Sequence, residues 1–184
     1  MTDVFDELVE GLIGREGAYV NNPNDSGGET IWGVTRAVAR ENGYAGSMRD
    51  MTREQAKAIY RAKYWAKPGL YLVAPLSKRI AEELLDTGVN AGTGTAGILF
   101  QRALNVLNRR AKNYADVKVD GAIGSGTAGA LKAFLKRNGA KAEVRMLKLL
   151  NGLQTAYYTE LAERREKDEE FINGWLDNRV EIPT

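Results

Sequence analysis

Residues 15–35 read REGAYVNNPNDSGGETIWGVT, and this stretch interrupts a chain that is otherwise patterned for helices. It contains one proline, four glycines and a cluster of Asn and Asp residues, a composition typical of turns. We therefore expect residues 19–34 to form a loop that includes a short β-hairpin.

Helical periodicity surrounds this loop on both sides. Residues 3–16 carry apolar side chains at helical spacing, and Thr52 with Gln55 forms a capping box for a helix over 53–65. Further helices are predicted between Thr35 and Gly43 and over 76–87, 96–110, 127–137 and 141–167, with a last short helix holding Phe171, Trp175 and Leu176. The predicted fold class is mostly α with a small β-hairpin.

The segment GVNAGTGT, residues 88–95, reads as a break and is the best candidate for a domain boundary. We predict a first domain over 1–92 and a helical second part over 93–184. Because the break is too short for a free tether, the second part should pack against the first.

Two residue types are absent from the sequence, and their absence limits the kinds of catalytic and metal-binding site that the protein can form. The chain has no cysteine and no histidine, which excludes disulfides, thiol nucleophiles, Ser-His-Asp triads and metal sites built on imidazole or thiolate. Carboxylates are the natural acid–base groups that remain, as in glycosidases. We expect no cofactor and no metal.

The distribution of charge bears on partners. Residues 1–46 hold 8 acidic and 3 basic residues, net −5, against +2 for the whole chain. An acidic lobe with a basic remainder would suit an anionic polymer such as cell wall, and scattered surface charge explains the numbers about as well. The net charge is too small to indicate nucleic-acid binding. The chain shows neither a signal peptide nor an apolar run of about 18 residues, so we expect synthesis in the cytoplasm without stable membrane insertion.

Glu16 is the first candidate for acid–base chemistry. It follows Ile13 by three residues and Leu12 by four, so it continues the apolar face of the first predicted helix. It also stands at the predicted end of that helix, where the helix dipole disfavours a negative charge. Partial burial and the dipole should both raise its pKa, as a proton donor requires. A partly exposed helix-end residue paired with a lysine is the alternative.

A second carboxylate and a hydroxyl follow Glu16 in the same loop. Asp25 lies nine residues further on, and Thr30 another five. The set supplies a proton donor, a carboxylate that activates water or stabilises positive charge, and a hydroxyl that holds the water. Glu29 is a rival second carboxylate, although beside Thr30 on an extended segment it should face the other way. For Asp25 alone, ordinary turn chemistry is the alternative.

Three further side chains are candidates for holding a sugar. Tyr19 and Trp32 flank the candidate catalytic loop and offer flat amphipathic rings for stacking. Asn90 lies four residues after Asp86, so one helical face would aim both at a sugar. The alternatives are core packing for the rings and a helix-end polar pair for Asp86 and Asn90.

The quoted stretch resembles the signature of the phage-type N-acetylmuramidases of glycoside hydrolase family 108, close to E-G-G-Y-x-N-x-P-x-D-x-G-G-x-T-x-x-G-I-T. It departs at Ala18, where Gly is usual, and at Val34, where Ile is usual. Residues 84–107, LLDTGVNAGTGTAGILFQRALNVL, and 119–131, VDGAIGSGTAGAL, resemble the family's downstream region and its peptidoglycan-binding-like domain. The resemblance implies a lysozyme-like helical domain with a small β element and a packed helical C-terminal part.

The resemblance also implies an activity. It implies a monomeric phage or prophage endolysin that cuts the β-1,4 bond between N-acetylmuramic acid and N-acetylglucosamine in peptidoglycan glycan strands. The catalytic residues of this enzyme would be Glu16, Asp25 and Thr30. In the wider phage lysozyme superfamily the spacing between the aspartate and the threonine is typically one residue longer. Such an enzyme reaches the periplasm after release by a separate pore protein. A lytic transglycosylase, or a non-catalytic wall-binding or secretion-associated protein, is the alternative.

Overall fold

The computed structural model describes residues 3–15, 19–21 and 28–180. This part of the chain is mostly helical and carries one three-stranded antiparallel sheet, which confirms the predicted fold class. None of its helices combines the length and apolar character needed to span a lipid bilayer. The helices are α1 (Val4–Arg15), α2 (Arg36–Glu41), α3 (Arg53–Tyr60), α4 (Lys78–Ala91), α5 (Thr93–Leu107), α6 (Ser125–Asn138), α7 (Ala142–Arg164) and α8 (Ile172–Arg179). The strands are β1 (Val20–Asn21), β2 (Glu29–Ile31) and β3 (Val34–Thr35).

The chain divides into two compact units, Met1–Lys67 and Pro68–Thr184. The sheet and α1–α3 belong to the first unit, and α4–α8 belong to the second. The functional division predicted between residues 92 and 93 stays a prediction.

Helix α1 is amphipathic, as its spacing predicts. Its apolar face enters the core of the first unit, where Phe5, Val9 and Ile13 are fully buried. The ring of Trp65 packs edge-on against Phe5, with 5.5 Å between ring centroids. The helix that leads to Glu16 is therefore fixed along its inner face by core packing.

The outer face of α1 carries a row of ion pairs to the third helix and its extension. Nζ of Lys57 lies 2.8 Å from Oε1 of Glu10, and Nη1 of Arg61 lies 2.8 Å from Oδ2 of Asp3. These side chains are a quarter to a half exposed, so each pair contributes modestly. The α1–α3 ion-pair row consists of Asp3, Asp6 and Glu10 on one side and Arg53, Lys57 and Arg61 on the other.

The sheet is built around a tight hairpin. Strands β2 and β3 pair with Ile31 opposite Val34, so Trp32 and Gly33 alone form the turn. Both have positive φ, 54° and 71°, as a two-residue hairpin with the natural strand twist requires. Indole Nε1 of Trp32 donates to the carbonyl of Met51 at 2.9 Å, which helps to hold a bulky residue in this unusual conformation. The predicted hairpin is confirmed.

Helix α3 begins as predicted but changes character sooner. The capping box of Thr52 and Gln55 is present, with both hydrogen bonds formed. After Tyr60 the chain continues as a π-helical segment, Arg61–Ala66, in which the N–H of Lys67 bonds the carbonyl of Ala62. The single helix predicted over 53–65 is therefore an α-helix followed by a wider turn, a distinction that residue spacing does not reveal.

The break predicted over residues 88–95 is much shorter in the structure. Helix α4 runs through Ala91, α5 begins at Thr93, and the junction is Gly92 alone, with φ of 93°. Gly88 is buried inside α4, where a Cβ would lie 3.5 Å from Cγ2 of Thr93. Close packing of the two helices thus keeps a glycine in the helical conformation that its propensity disfavours.

Amide side chains on α5 hold the loop that follows it. Oε1 of Gln101 accepts from the N–H groups of Asp120 and Gly121 at 2.9 and 2.8 Å. One turn later, Asn105 both donates to and accepts from the backbone of Val117 at 2.8 Å. Gln101 and Asn105 therefore bond the backbone of the loop much as a neighbouring strand would.

Helix α8 closes the end of the second unit. Trp175 stacks on Tyr158 of α7, with centroids 4.9 Å apart, and Phe171 stacks on Trp175 at 6.2 Å. Nη1 of Arg179 lies 3.0 Å from Oδ1 of Asp86 in α4. A short row of rings and one ion pair therefore attach α8 to the rest of its unit.

Candidate active site

In the sequence, the three predicted catalytic residues lie next to or within the segments that form the sheet. Glu16 and Asp25 lie outside the described residues. Glu16 comes directly after the last residue of α1, and Asp25 belongs to the connection between β1 and β2. Thr30 is the central residue of β2, opposite Val20 on one side and Thr35 on the other.

Strand alternation separates Thr30 from its neighbour Glu29. Successive side chains point to opposite faces, so Thr30 shares a face with Val20, its partner on β1. Val20 is 50% exposed, and Thr30 is half-buried. Within the described part of the chain, the hydroxyl of Thr30 donates a long bond of 3.4 Å to the carbonyl of Gly28, and its oxygen can also accept a hydrogen bond.

Glu29 is held by two neighbours on the other face. The hydroxyl of Tyr19 donates to Oε1 at 2.8 Å, and Nη1 of Arg36 donates to Oε2 at 3.2 Å. Both carboxylate oxygens are engaged inside the protein. This arrangement favours a structural role for Glu29 over that of the rival second carboxylate.

Tyr19 lies between an anion and a cation. The guanidinium of Arg49 lies 4.1 Å from the centroid of its ring, and its hydroxyl bonds Glu29. The hydrogen bond to the Glu29 carboxylate raises the pKa of Tyr19. One ring face is thus covered by Arg49, so the predicted stacking on a sugar would use the opposite face.

The other two predicted sugar-binding residues lie in different units. Trp32 is half-buried at the hairpin turn of the first unit, with its indole N–H bonded to Met51. Asn90 is exposed on α4 in the second unit and donates to the carbonyl and to Oδ2 of Asp86 at 2.8 and 3.3 Å. The Asp86–Asn90 bonds are those of a polar pair within a helix. Sugar binding by Tyr19, Trp32 and Asn90 stays a prediction.

Sequence reasoning missed the two arginines that support Tyr19 and Glu29. Arg36 lies opposite Glu29 across the hairpin, a position that follows from the pairing of Thr30 with Thr35. Knowledge of the two-residue turn would have revealed this contact. Arg49 comes from a short 3₁₀ turn, Met48–Asp50, and its placement depends on tertiary packing.

Comparison with known proteins gives two adjoining family matches. Residues 9–92 match the family described as glycosyl hydrolase 108, and residues 95–180 match the family described as a predicted peptidoglycan domain. The structure of Brucella abortus SagA is similar over 96% of each chain, with a TM-score of 0.65 and 22% sequence identity, which shows a shared fold. A search of curated proteins found no match.

The two matches define a glycosidase-type protein directed at peptidoglycan, with a lysozyme-like, mostly helical fold. Its residues 9–92 match the family model of glycosyl hydrolase 108. The family resemblance read from residues 15–35 and from the downstream motifs is therefore confirmed.

Proposed function

We propose that the protein is an N-acetylmuramidase that hydrolyses the β-1,4 bond between N-acetylmuramic acid and N-acetylglucosamine. The observation that carries the proposal is the match to glycosyl hydrolase 108 over residues 9–92, which contains Glu16, Asp25 and Thr30. The described frame around these positions supports it, because α1 ends directly before Glu16 and Thr30 is the central residue of β2.

Each of the three residues has a role in this proposal. Glu16 protonates the bridging oxygen as the bond to the leaving sugar breaks. Asp25 activates the attacking water or stabilises the positive charge that develops on the sugar, and Thr30 holds that water. The engagement of both Glu29 oxygens by Tyr19 and Arg36 supports Asp25 as the second carboxylate.

We further propose that the chain acts as a monomeric endolysin of phage or prophage origin. In this proposal it is made in the host cytoplasm, passes a pore formed by a separate protein, and cuts glycan strands in the periplasm. Lysis of the cell follows from loss of the wall. The predicted peptidoglycan domain over residues 95–180 supports retention of the enzyme on its polymeric substrate.

Digestion of purified peptidoglycan by wild type and Glu16→Gln tests the proposal. We expect wild type to release fragments with a free reducing N-acetylmuramic acid, identified by mass spectrometry. Glu16→Gln should be slower by a factor on the order of a hundred to ten thousand, because the proton donor is lost. The control is Glu54→Gln, which changes an exposed acid at the start of α3 and should keep wild-type activity.

Other products of the digestion would support one of the alternative functions. Anhydro ends in place of reducing ends would identify a lytic transglycosylase and remove the role of water. Wall binding without released fragments would identify a non-catalytic binding protein. A Glu16→Gln variant that keeps more than about a tenth of the wild-type rate would contradict the assignment of the acid.

A further inference from the structure

The second unit contains a cleft of about 480 Å³ between the loop after α5 and the first half of α6. Its lining includes Asp116, Val117 and Lys118 from the loop and Gly126 and Gly129 from α6. A volume of this size accommodates a ligand of a few residues rather than an ion. All of the lining belongs to the part of the chain that matches the predicted peptidoglycan domain.

The floor and the loop wall of the cleft are rigidly held. Gln101 is 1% exposed, and its Nε2 donates to Oδ1 of Asp120 at 3.0 Å and to the carbonyl of Ala122 at 2.9 Å. Thr127, 5% exposed, lies beside it. Together with the bonds that Gln101 Oε1 accepts, these contacts hold the loop in place before any ligand arrives, which lowers the entropic cost of binding.

On the α6 side of the cleft, two glycines expose the helix backbone. Gly126 and Gly129 are exposed, three residues apart, and a Cβ built on either would meet no other atom within 4 Å. A ligand can therefore approach the helix backbone closely at this wall. The same openness means that a side chain placed there enters the cleft without disturbing the protein.

The rim carries charges of both signs. Asp116 is exposed, and one of its oxygens, Oδ1, accepts a hydrogen bond from Nδ2 of Asn108. Within the described part of the chain no bond to its second oxygen is present. Nζ of Lys118 lies 3.5 Å from Oδ2 of Asp120, and the lysine side chain is 85% exposed. The rim thus offers a carboxylate oxygen to a cation and an ammonium group to an anion.

We propose that this cleft binds the peptide stems of peptidoglycan, with the side-chain ammonium of a diamino acid at Asp116 and a carboxylate of the stem at Lys118. The choice of peptidoglycan as the source of the peptide rests on the proposed function. The site itself rests on the cleft, its glycine wall and its two charges.

Peptide chemistry fits this cleft better than sugar chemistry does. Saccharide sites usually present flat aromatic faces, and the aromatic residue of this lining is Tyr114. Its hydroxyl already donates to the carbonyl of Leu104 at 2.7 Å, and burial raises its pKa to about 12. Opposite charges at the rim match a zwitterionic stem, whereas a neutral sugar would leave both unused.

Titration of the full-length protein with two synthetic tripeptides tests the proposal. One is L-alanyl-γ-D-glutamyl-meso-diaminopimelate, and the other is the same tripeptide with the side-chain amine acetylated. We expect wild type to bind the first and to bind the second at least about tenfold more weakly, because the ammonium is lost. Asp116→Asn should weaken binding of the first tripeptide by about the same factor.

Variants that fill the cleft test the location of the binding site more directly than the modified tripeptide does. Gly129→Leu and Gly126→Leu place a side chain in the cleft, and leucine favours helix over glycine, so the fold is kept. Both should abolish tripeptide binding. The matched control is Gly152→Leu, an exposed and equally open position on α7 away from the cleft, which should bind like wild type.

Three outcomes overturn the inference. Equal binding of the two tripeptides would show that the ammonium is not recognised, and wild-type binding by Gly129→Leu would show that the ligand lies elsewhere. Displacement of the tripeptide by a tetramer of N-acetylglucosamine would assign the cleft to the glycan instead. Because the titration breaks no glycosidic bond, its failure is distinct from a failure to release muramic acid ends, which concerns the proposed activity.

Discussion

The hydroxyl of Tyr19 donates a 2.8 Å hydrogen bond to Oε1 of Glu29, and this bond ties the residue before β1 to the first residue of β2, across the connection that contains Asp25. Tyr19 directly precedes β1, and Glu29 is the first residue of β2. Together with the pairing of Asn21 and Glu29, the bond fixes the points from which the candidate catalytic segment departs and to which it returns.

Removal of this bond should affect activity more than stability. We expect Tyr19→Phe to lower the rate of reducing-end release by about tenfold, because the segment carrying Asp25 loses a defined anchor. The free energy of unfolding should fall only slightly, because a single partly exposed hydrogen bond contributes little to stability. Tyr44→Phe is the matched control, since its hydroxyl bonds the carbonyl of Ser47 at 2.8 Å outside this segment. Equal loss of activity in both variants would contradict a specific role for Tyr19.

Glu29 offers a direct test of which acid serves as the second carboxylate. Glu29→Gln keeps one oxygen for Tyr19 and removes the charge that pairs with Arg36. We expect a mild reduction of the rate, and a much larger reduction in Asp25→Asn, as measured by release of reducing ends. If Glu29→Gln proved the more damaging change, the roles of the two acids would have to be exchanged.

The α1–α3 ion-pair row should make the first unit sensitive to acid. The hydrogen bond from Arg61 lowers the pKa of Asp3, and the hydrogen bond from Lys57 lowers that of Glu10, from ordinary values of 3.8 and 4.5. A carboxyl group with a lowered pKa stabilises the fold above its unfolded pKa, and that contribution is lost as the pH falls through the folded value. Stability should therefore be full above about pH 5 and decline below about pH 4.

Urea unfolding at a series of pH values measures this effect. Lys57→Met should flatten the decline between about pH 5 and pH 3, because the largest cause of the lowered pKa of Glu10 is then removed. Added salt should weaken the row in wild type, since its members are partly exposed. A control variant outside the row, Lys132→Met, changes an exposed lysine of α6 and should keep the wild-type profile. A Lys57→Met profile that coincides with wild type would show that the pairs made by Lys57 contribute nothing.

Two glycines of α5 should respond in opposite ways to the same change. At Gly97 a Cβ would lie 2.0 Å from the carbonyl oxygen of Gly121, whereas at Gly94 it would meet nothing within 4 Å. Gly97→Ala should lower the free energy of unfolding by more than about 2 kcal/mol, because backbone must move. Gly94→Ala should raise it by up to about 1 kcal/mol through helix propensity. Similar denaturant midpoints for the two variants would contradict the close approach.

Gln101 should be the main support of the loop that forms the cleft. Gln101→Ala would leave the N–H groups of Asp120 and Gly121 without their acceptor, at a cost of about 2–4 kcal/mol in unfolding free energy. The hydrogen bond from Gln101 also lowers the pKa of Asp120, so that pKa should rise in the variant, as NMR titration can show. Arg102→Ala, an exposed change on the same helix, should cost less than about 0.5 kcal/mol.

Local signals in the sequence predicted most of the fold. The capping box at Thr52 marks the start of α3, and the apolar spacing of residues 3–16 marks the buried face of α1. The prediction failed at Gly88, where packing against Thr93 overrides a weak helix propensity. It also missed the π-helical turn after Tyr60, since that turn depends on tertiary contacts rather than on residue spacing.

The candidate site could be predicted in part. The spacing of Glu16, Asp25 and Thr30 is a property of the sequence, and the family match covers all three positions. The support that Arg36 gives to Glu29 was not predictable, because Trp-Gly is not among the dipeptides that indicate a two-residue hairpin. When the position of the turn is not known, the strand register that brings Arg36 and Glu29 together cannot be derived.

The stacked rings of Tyr158, Trp175 and Phe171 affect the tryptophan fluorescence of the second unit. The chain has three tryptophans, and Trp175 is the single one in Pro68–Thr184, whereas Trp32 and Trp65 belong to the other unit. Trp175 is stacked between Tyr158 and Phe171, so its fluorescence depends on the attachment of α8 to α7. A change in that emission would report the detachment of a single helix, long before circular dichroism registered any loss of the remaining helices.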